Sequence, residues 1–182
     1  SDGLKNEYST TLLENLVIVQ TRLRKFEDAL ANLSKLDSNP EREFTKGTLL
    51  LSLKKYGEAI NILEDLAQKK IANDLKEKIY IRLAEAYLLE RKYAKTIETA
   101  DKYEAINKSY NKEIINFKAI AYFRLGQYTK ARELYERNLN NPEEKASSFY
   151  MIAETYYNER NYLEAKNNYT KAVESSSDIK LK

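Results

Sequence analysis

Fifteen tyrosines, 31 lysines and arginines, and 28 aspartates and glutamates are the main side chains with which this chain could do chemistry; histidine and cysteine are both absent. Losing His removes the commonest general base and the commonest metal ligand together. Losing Cys removes the thiolate nucleophile, the thiolate metal site and any disulfide. A metal would have to rest on carboxylates alone, and these show ordinary helix-surface spacing. No glycine-rich phosphate loop occurs. The hydroxyls of Ser147, Ser148 and Ser175 to Ser177 have no base beside them, so a hydrolase has little to work with. These residue types predict no enzyme, no metal and no cofactor, and leave binding as the chemistry to explain.

The aromatic residues fall in a pattern. An aromatic, two mostly polar residues and a small residue recur at Phe26 to Ala29, Tyr56 to Ala59, Tyr93 to Thr96, Tyr128 to Ala131 and Tyr162 to Ala165. The aromatics are 30, 37, 35 and 34 residues apart, a period that means one supersecondary unit stacked along an axis. After each aromatic, small or apolar residues stand at offsets of three, seven and ten, one face of a helix. Ala59, Leu63 and Leu66 are the clearest set, and Ala165, Tyr169 and Ala172 the last. A second amphipathic stretch precedes each aromatic, with large, small and large residues thirteen, nine and six positions before it. It reads Tyr80, Ala84 and Tyr87 in the third repeat, Ile115, Ala119 and Tyr122 in the fourth, and Phe149, Ala153 and Tyr156 in the fifth. A small slot between large neighbours is what close helix pairing needs.

Punctuation agrees with this periodicity. Asn39-Pro40 and Asn141-Pro142 pair an N-cap with a first-turn proline and mark repeat starts. Gly126 is a helix stop. With four glycines, two prolines, 42% hydrophobic and 32% charged residues, the composition suits a folded, helical, soluble protein. No apolar run approaches the roughly 20 residues of a membrane span. The chain opens on Ser-Asp-Gly without Met, which predicts an excised or processed product whose leader, if any, is gone. Absence of Cys does not choose between a cytoplasmic and an exported or envelope location.

On these residues the chain resembles the tetratricopeptide repeat family, whose unit is a helix A–turn–helix B pair of about 34 residues. The third, fourth and fifth repeats match at most slots. The first departs at Val17 and Gln20 and the second at Glu43. The resemblance implies an all-α, right-handed superhelical solenoid of antiparallel helix pairs. It covers a single array over residues 10–179, with repeats at 10–39, 40–76, 77–111, 112–145 and 146–179, and flanking segments at 1–9 and 180–182. It further implies that helix A lines a concave groove that binds a protein or peptide. The groove slots in the first repeat are Glu14, Ile18 and Thr21. Those of the second are Phe44, Thr48 and Leu51, and of the third Ile81, Glu85 and Leu88. The fourth and fifth supply Asn116, Ile120 and Phe123, then Tyr150, Glu154 and Tyr157. The family's clamp for a chaperone's C-terminal carboxylate is disfavoured, because Glu14 and Ile18 stand where its Lys and Asn would be; Lys78 and Arg82 are the only nearby basic pair.

Two further readings concern the cations and the tyrosines. Arg24, Lys25, Lys54, Lys55, Arg91, Lys92 and Arg160 cluster in the inter-helix turns. They either form an RNA-binding edge or simply complement helix C-termini. The net charge of +3 favours the second, so an RNA-binding helical-repeat protein stands as the alternative function. Tyr56, Tyr87, Tyr93, Tyr122, Tyr128, Tyr156 and Tyr162 occupy slots expected in the core. The last helix is expected to end near Val173 and Glu174, and the uncapped face around Tyr169 and Ala172 is a candidate oligomer surface.

Overall fold

The computed structural model describes residues 2–180, with side chains over 8–176. Among the described residues all regular structure is helical. The first compact unit, Ser1–Glu90, holds α1 (Asp2–Arg22), α2 (Phe26–Leu33), α3 (Pro40–Ser52), α4 (Tyr56–Gln68) and α5 (Asn73–Leu89). The second, Arg91–Lys182, holds α6 (Tyr93–Ile106), α7 (Lys112–Arg124), α8 (Tyr128–Asn138), α9 (Pro142–Asn158) and α10 (Tyr162–Lys180). Within each unit the main packing runs from one helix to the next in sequence. That neighbour-to-neighbour order is the signature of a stacked helical repeat.

Every even-numbered helix begins on one of the five phrase aromatics. The small residue three positions on is sealed in each case: Ala29, Ala59, Thr96 and Ala131 are 0% exposed and Ala165 is 2%. The small slot of the preceding helix is equally closed, with Ala84, Ala119 and Ala153 at 0%. At the alanines a side chain larger than a methyl would hold the packed helices apart, whereas the slot at Thr96 accommodates a threonine. Gly47 fills the same slot on α3, and a Cβ there would meet Leu63 Cδ2 at 3.0 Å and Cγ at 3.1 Å. Leu63 itself is 0% exposed, and burying such a side chain contributes about 2 kcal/mol. It anchors a cluster with Leu50, Leu66, Ile79 and Leu83 in the first unit. Ile115, Ala119, Leu134, Tyr135 and Ile152 form the counterpart in the second.

Three-residue turns follow α1, α3, α5, α7 and α9, at 23–25, 53–55, 90–92, 125–127 and 159–161, and within each unit they force antiparallel neighbours. The middle residue of each turn is left-handed: φ is 59° at Arg24, 60° at Lys54, 57° at Arg91, 72° at Gly126 and 61° at Arg160. The amide of Lys54 donates to the carbonyl of Leu51 at 2.9 Å, and that of Lys55 to Leu50 at 2.9 Å. The same two bonds recur at Arg24–Lys25, Gly126–Gln127 and Arg160–Asn161. This is the Schellman termination, which satisfies the last carbonyls of the helix. At their other ends, α3, α7 and α9 are capped by the side-chain oxygens of Asn39, Asn111 and Asn141.

Two expectations are corrected. α10 does not stop near Val173 and Glu174 but continues to Lys180; serines are weak helix formers yet lack the glycine or proline that ends a helix. Of the seven repeat tyrosines only Tyr87 is fully buried, at 4% exposure, while Tyr162 stands 59% exposed. The others are half-buried: Tyr56, Tyr93 and Tyr128 because the phrase aromatic sits on the first turn of its helix, Tyr122 and Tyr156 near the ends of α7 and α9. Cations cover two of them: the Arg132 guanidinium lies 4.3 Å from the Tyr156 ring centroid, and Lys130 Nζ 5.2 Å from that of Tyr122.

Candidate partner-binding surface

In the first unit most groove slots are already occupied by the protein's own contacts. Phe44 packs on the unit's core and Leu51, 8% exposed, is part of it. Thr48 Oγ1 donates to the Phe44 carbonyl at 3.0 Å. Glu85 pairs with Arg82 one turn away on α5, which also disposes of one of the two cations considered for a carboxylate clamp. On α1, Glu14 holds Arg42 of α3 at 2.9 Å. Ile81 and Leu88 are half-buried, and Ile18 is the open position at 51% exposure.

The second unit differs. Asn116, Ile120 and Phe123 run along α7 at four- and three-residue spacing, so they share one face. They form one wall of an open cavity of about 420 Å³. The opposite wall is α9, through Glu144, Ser148 and Met151, and Tyr135 of α8 closes the floor. Asn116 is held by a polar chain: Asn138 Nδ2 donates to Asn116 Oδ1 at 2.7 Å, and the Tyr110 hydroxyl donates to Asn138 Oδ1 at 2.9 Å. Asn138 is 0% exposed, and these partners are what make a buried amide tolerable. The Glu144 carboxylate accepts from Lys112 Nζ at 3.3 Å and Asn116 Nδ2 at 3.5 Å. Its hydrogen bond and charge hold the Lys112 ammonium above the usual lysine value.

Along α9 the slots form a tyrosine stripe. Tyr150 is 49% and Tyr157 55% exposed. Between them Glu154 accepts a short hydrogen bond from the Tyr169 hydroxyl of α10. Burial and that bond push the Tyr169 phenol up, so it stays a donor. The Tyr150 and Tyr169 rings are 5.8 Å apart. Tyr157 meets Tyr162 edge-on at 5.6 Å, as Phe123 meets Tyr128 at 5.5 Å. The slot before each turn is thus braced by the phrase aromatic after it, which fixes the ring without covering it.

Six residues of the cavity, Arg124, Tyr135, Glu144, Ser147, Ser148 and Met151, were not among the groove positions. Arg124 is the helix-A residue after Phe123, so its signal was a cation on that element. Tyr135 stands seven residues after Tyr128, on the helix face set by that spacing, and is 3% exposed. Nothing in its spacing shows that it also reaches a cavity. The turn cations Arg24, Lys54, Arg91 and Arg160 occupy the left-handed turn position, just past a helix C-terminus, where a positive charge complements the helix dipole. Among the described residues no cluster of acidic side chains is arranged to hold a metal, and no helix is long and apolar enough to cross a membrane.

The class of protein follows from this helix order and its repeat matches. Residues 146–179 match a tetratricopeptide repeat model, and residues 118–141 match a second one. With helix pairs of the same register in both units, the chain carries tetratricopeptide repeats at these residues and has the all-α helical-repeat fold.

Among solved structures the chain is similar to MamA proteins. One titled "MamA RS-1 ArsTM double mutant" superposes with a TM-score of 0.81 at 16% identity, over 96% of this chain and 98% of that one. MamA residues 41 to the end from Desulfovibrio magneticus RS-1 gives 0.81 at 16% identity, over 93% and 96%. A further MamA crystal structure gives 0.78 at 19% identity, over 93% and 92%. At these identities the likeness is one of fold. No curated protein matches the chain.

Proposed function

We propose that the chain is a non-catalytic scaffold that binds a protein or peptide on its helix-A face, with the repeat register of residues 10–179 forming one array. The observation that supports this most is the α7–α9 surface. It combines an open cavity walled by Ile120 and Phe123 with two tyrosines, Tyr150 and Tyr157, each about half exposed. Partly exposed aromatics on a braced backbone lose little freedom when covered, and such residues carry a disproportionate share of binding energy. Each of these tyrosines meets one ring of α10 and leaves about half of its surface open to a partner.

The test is affinity capture from a lysate of the organism that encodes the chain, wild type beside an Ile120→Glu, Tyr157→Glu double variant, each with and without nuclease. A protein retained by wild type, indifferent to nuclease and reduced at least about tenfold by the variant, is the expected result. Circular dichroism confirms that the variant is folded. Capture that survives the variant and disappears with nuclease would move the function to the basic turns.

A further inference from the structure

The floor of the α7–α9 cavity holds a side chain whose chemistry is unfinished. Tyr135 is 3% exposed, and its hydroxyl has no hydrogen-bond partner among the described residues. An unpaired buried hydroxyl costs about 1–3 kcal/mol, so such a group calls for a reason. Burial pushes the phenol well above its ordinary value, with Arg124 pulling weakly the other way. It therefore stays protonated and can donate. Arg124 lines the same cavity from α7, exposed, and carries no ion pair among the described residues. The other charge on the wall, Glu144, is already matched by Lys112 and Asn116. The cavity thus offers one uncompensated positive charge and one idle donor between the apolar surfaces of Ile120, Phe123 and Met151.

We propose that this cavity accepts an acidic side chain of the bound partner, an Asp or Glu flanked by apolar residues, with Arg124 neutralising its carboxylate and Tyr135 donating a hydrogen bond to it. The proposal rests on the groove reading above and names the chemistry of its occupant. A cationic side chain would meet Arg124 with like charge. A neutral amide would satisfy Tyr135 but leave the guanidinium unused. A carboxylate meets both, and charge-assisted bonds of this kind are the strong ones. The hydroxyl is covered in the free protein, so a wall side chain must yield; Met151, unbranched and half-buried, is the one built to do so.

The probe is a set of fluorescein-labelled, C-terminally amidated nonapeptides in which leucine and phenylalanine flank one central Glu, Gln or Lys, read by fluorescence anisotropy. Amidation removes the terminal carboxylate as a source of charge. The Glu peptide is expected to bind about tenfold or more tightly than the Gln peptide, with Lys weakest. Arg124→Gln brings the Glu-over-Gln ratio towards one without weakening the Gln peptide, while Tyr135→Phe weakens both peptides and the charged Glu peptide more, so the ratio falls. Equal affinity for Glu and Gln, a preference that survives both substitutions, or no binding of the Glu peptide overturns the proposal. Protein capture that still depends on Ile120 and Tyr157 would then leave the scaffold reading standing and remove the cavity assignment alone.

Discussion

The helix-A faces of the two units occupy the same repeat slots and differ in how many of those slots are open. On α3 and α5, Leu51 belongs to the core and Phe44 packs on it, as Phe123 does on the core of the second unit; Thr48 is satisfied by its own helix and Glu85 by Arg82. On α7 and α9, Ile120 and Phe123 border a cavity, Tyr150 and Tyr157 face solvent, and Tyr135 and Arg124 lack partners among the described residues. A repeat slot therefore fixes where a side chain points but not what it is for. The difference is made by the neighbours. In the first unit Phe44 and Leu51 pack with a cluster that includes Leu50, Ile60 and Leu63. In the second, Tyr110, Asn138 and Asn116 hydrogen-bond to one another beside the cavity between α7 and α9.

The largest effect that would break this contrast is a stability difference between equivalent slots. Leu51→Ala empties a core position and should cost roughly 2–5 kcal/mol in urea unfolding. Tyr157→Ala, the same slot three repeats later in the fifth hairpin and half exposed, should cost under about 1 kcal/mol. Similar losses at the two sites would mean that both faces are structural.

A smaller effect sharpens the cavity's role. Tyr135→Phe removes the unpartnered hydroxyl and keeps the ring, so the free protein should gain about 1 kcal/mol while acidic-peptide binding weakens. Stability and binding moving in opposite directions would mark the hydroxyl as held for a ligand. A loss of stability would show that it is already satisfied.

The smallest effect should be alike in both units, because it concerns the turns they share. Lys54→Gly and Arg160→Gly relieve a left-handed backbone and should each stabilise by roughly 0.5 kcal/mol, after the entropy glycine adds to the unfolded chain. Gly126→Ala should do the reverse, losing about 1 kcal/mol. Thermal melts resolve the opposite signs, and a destabilising Lys54→Gly would mean that the side chain, not the φ angle, sets that turn.

Much of the fold was legible because it rests on local chemistry. The aromatic that starts every second helix, the small residue sealed three positions on, and the asparagine caps at Asn39 and Asn141 depend on period, side-chain volume and capping geometry, all of which are properties of a short stretch of chain. The left-handed turns were half legible. Gly126 announced one, but Arg24, Lys54, Arg91 and Arg160 read as a charge pattern until their φ angles showed a shared backbone state. The end of α10 was not legible, since serines neither stop a helix nor support it strongly.

The sequence by itself determined the repeat, the helix pairs and the face of helix A on which a partner would be sought. Only the tertiary structure decided which groove positions are spent and which are open. Whether Leu51 closes a core while Tyr157 faces solvent, or whether the Tyr135 hydroxyl finds an acceptor, depends on atoms supplied by other helices, many residues away. Burial and hydrogen-bond satisfaction are properties of that assembled neighbourhood, and no periodicity along the chain encodes them.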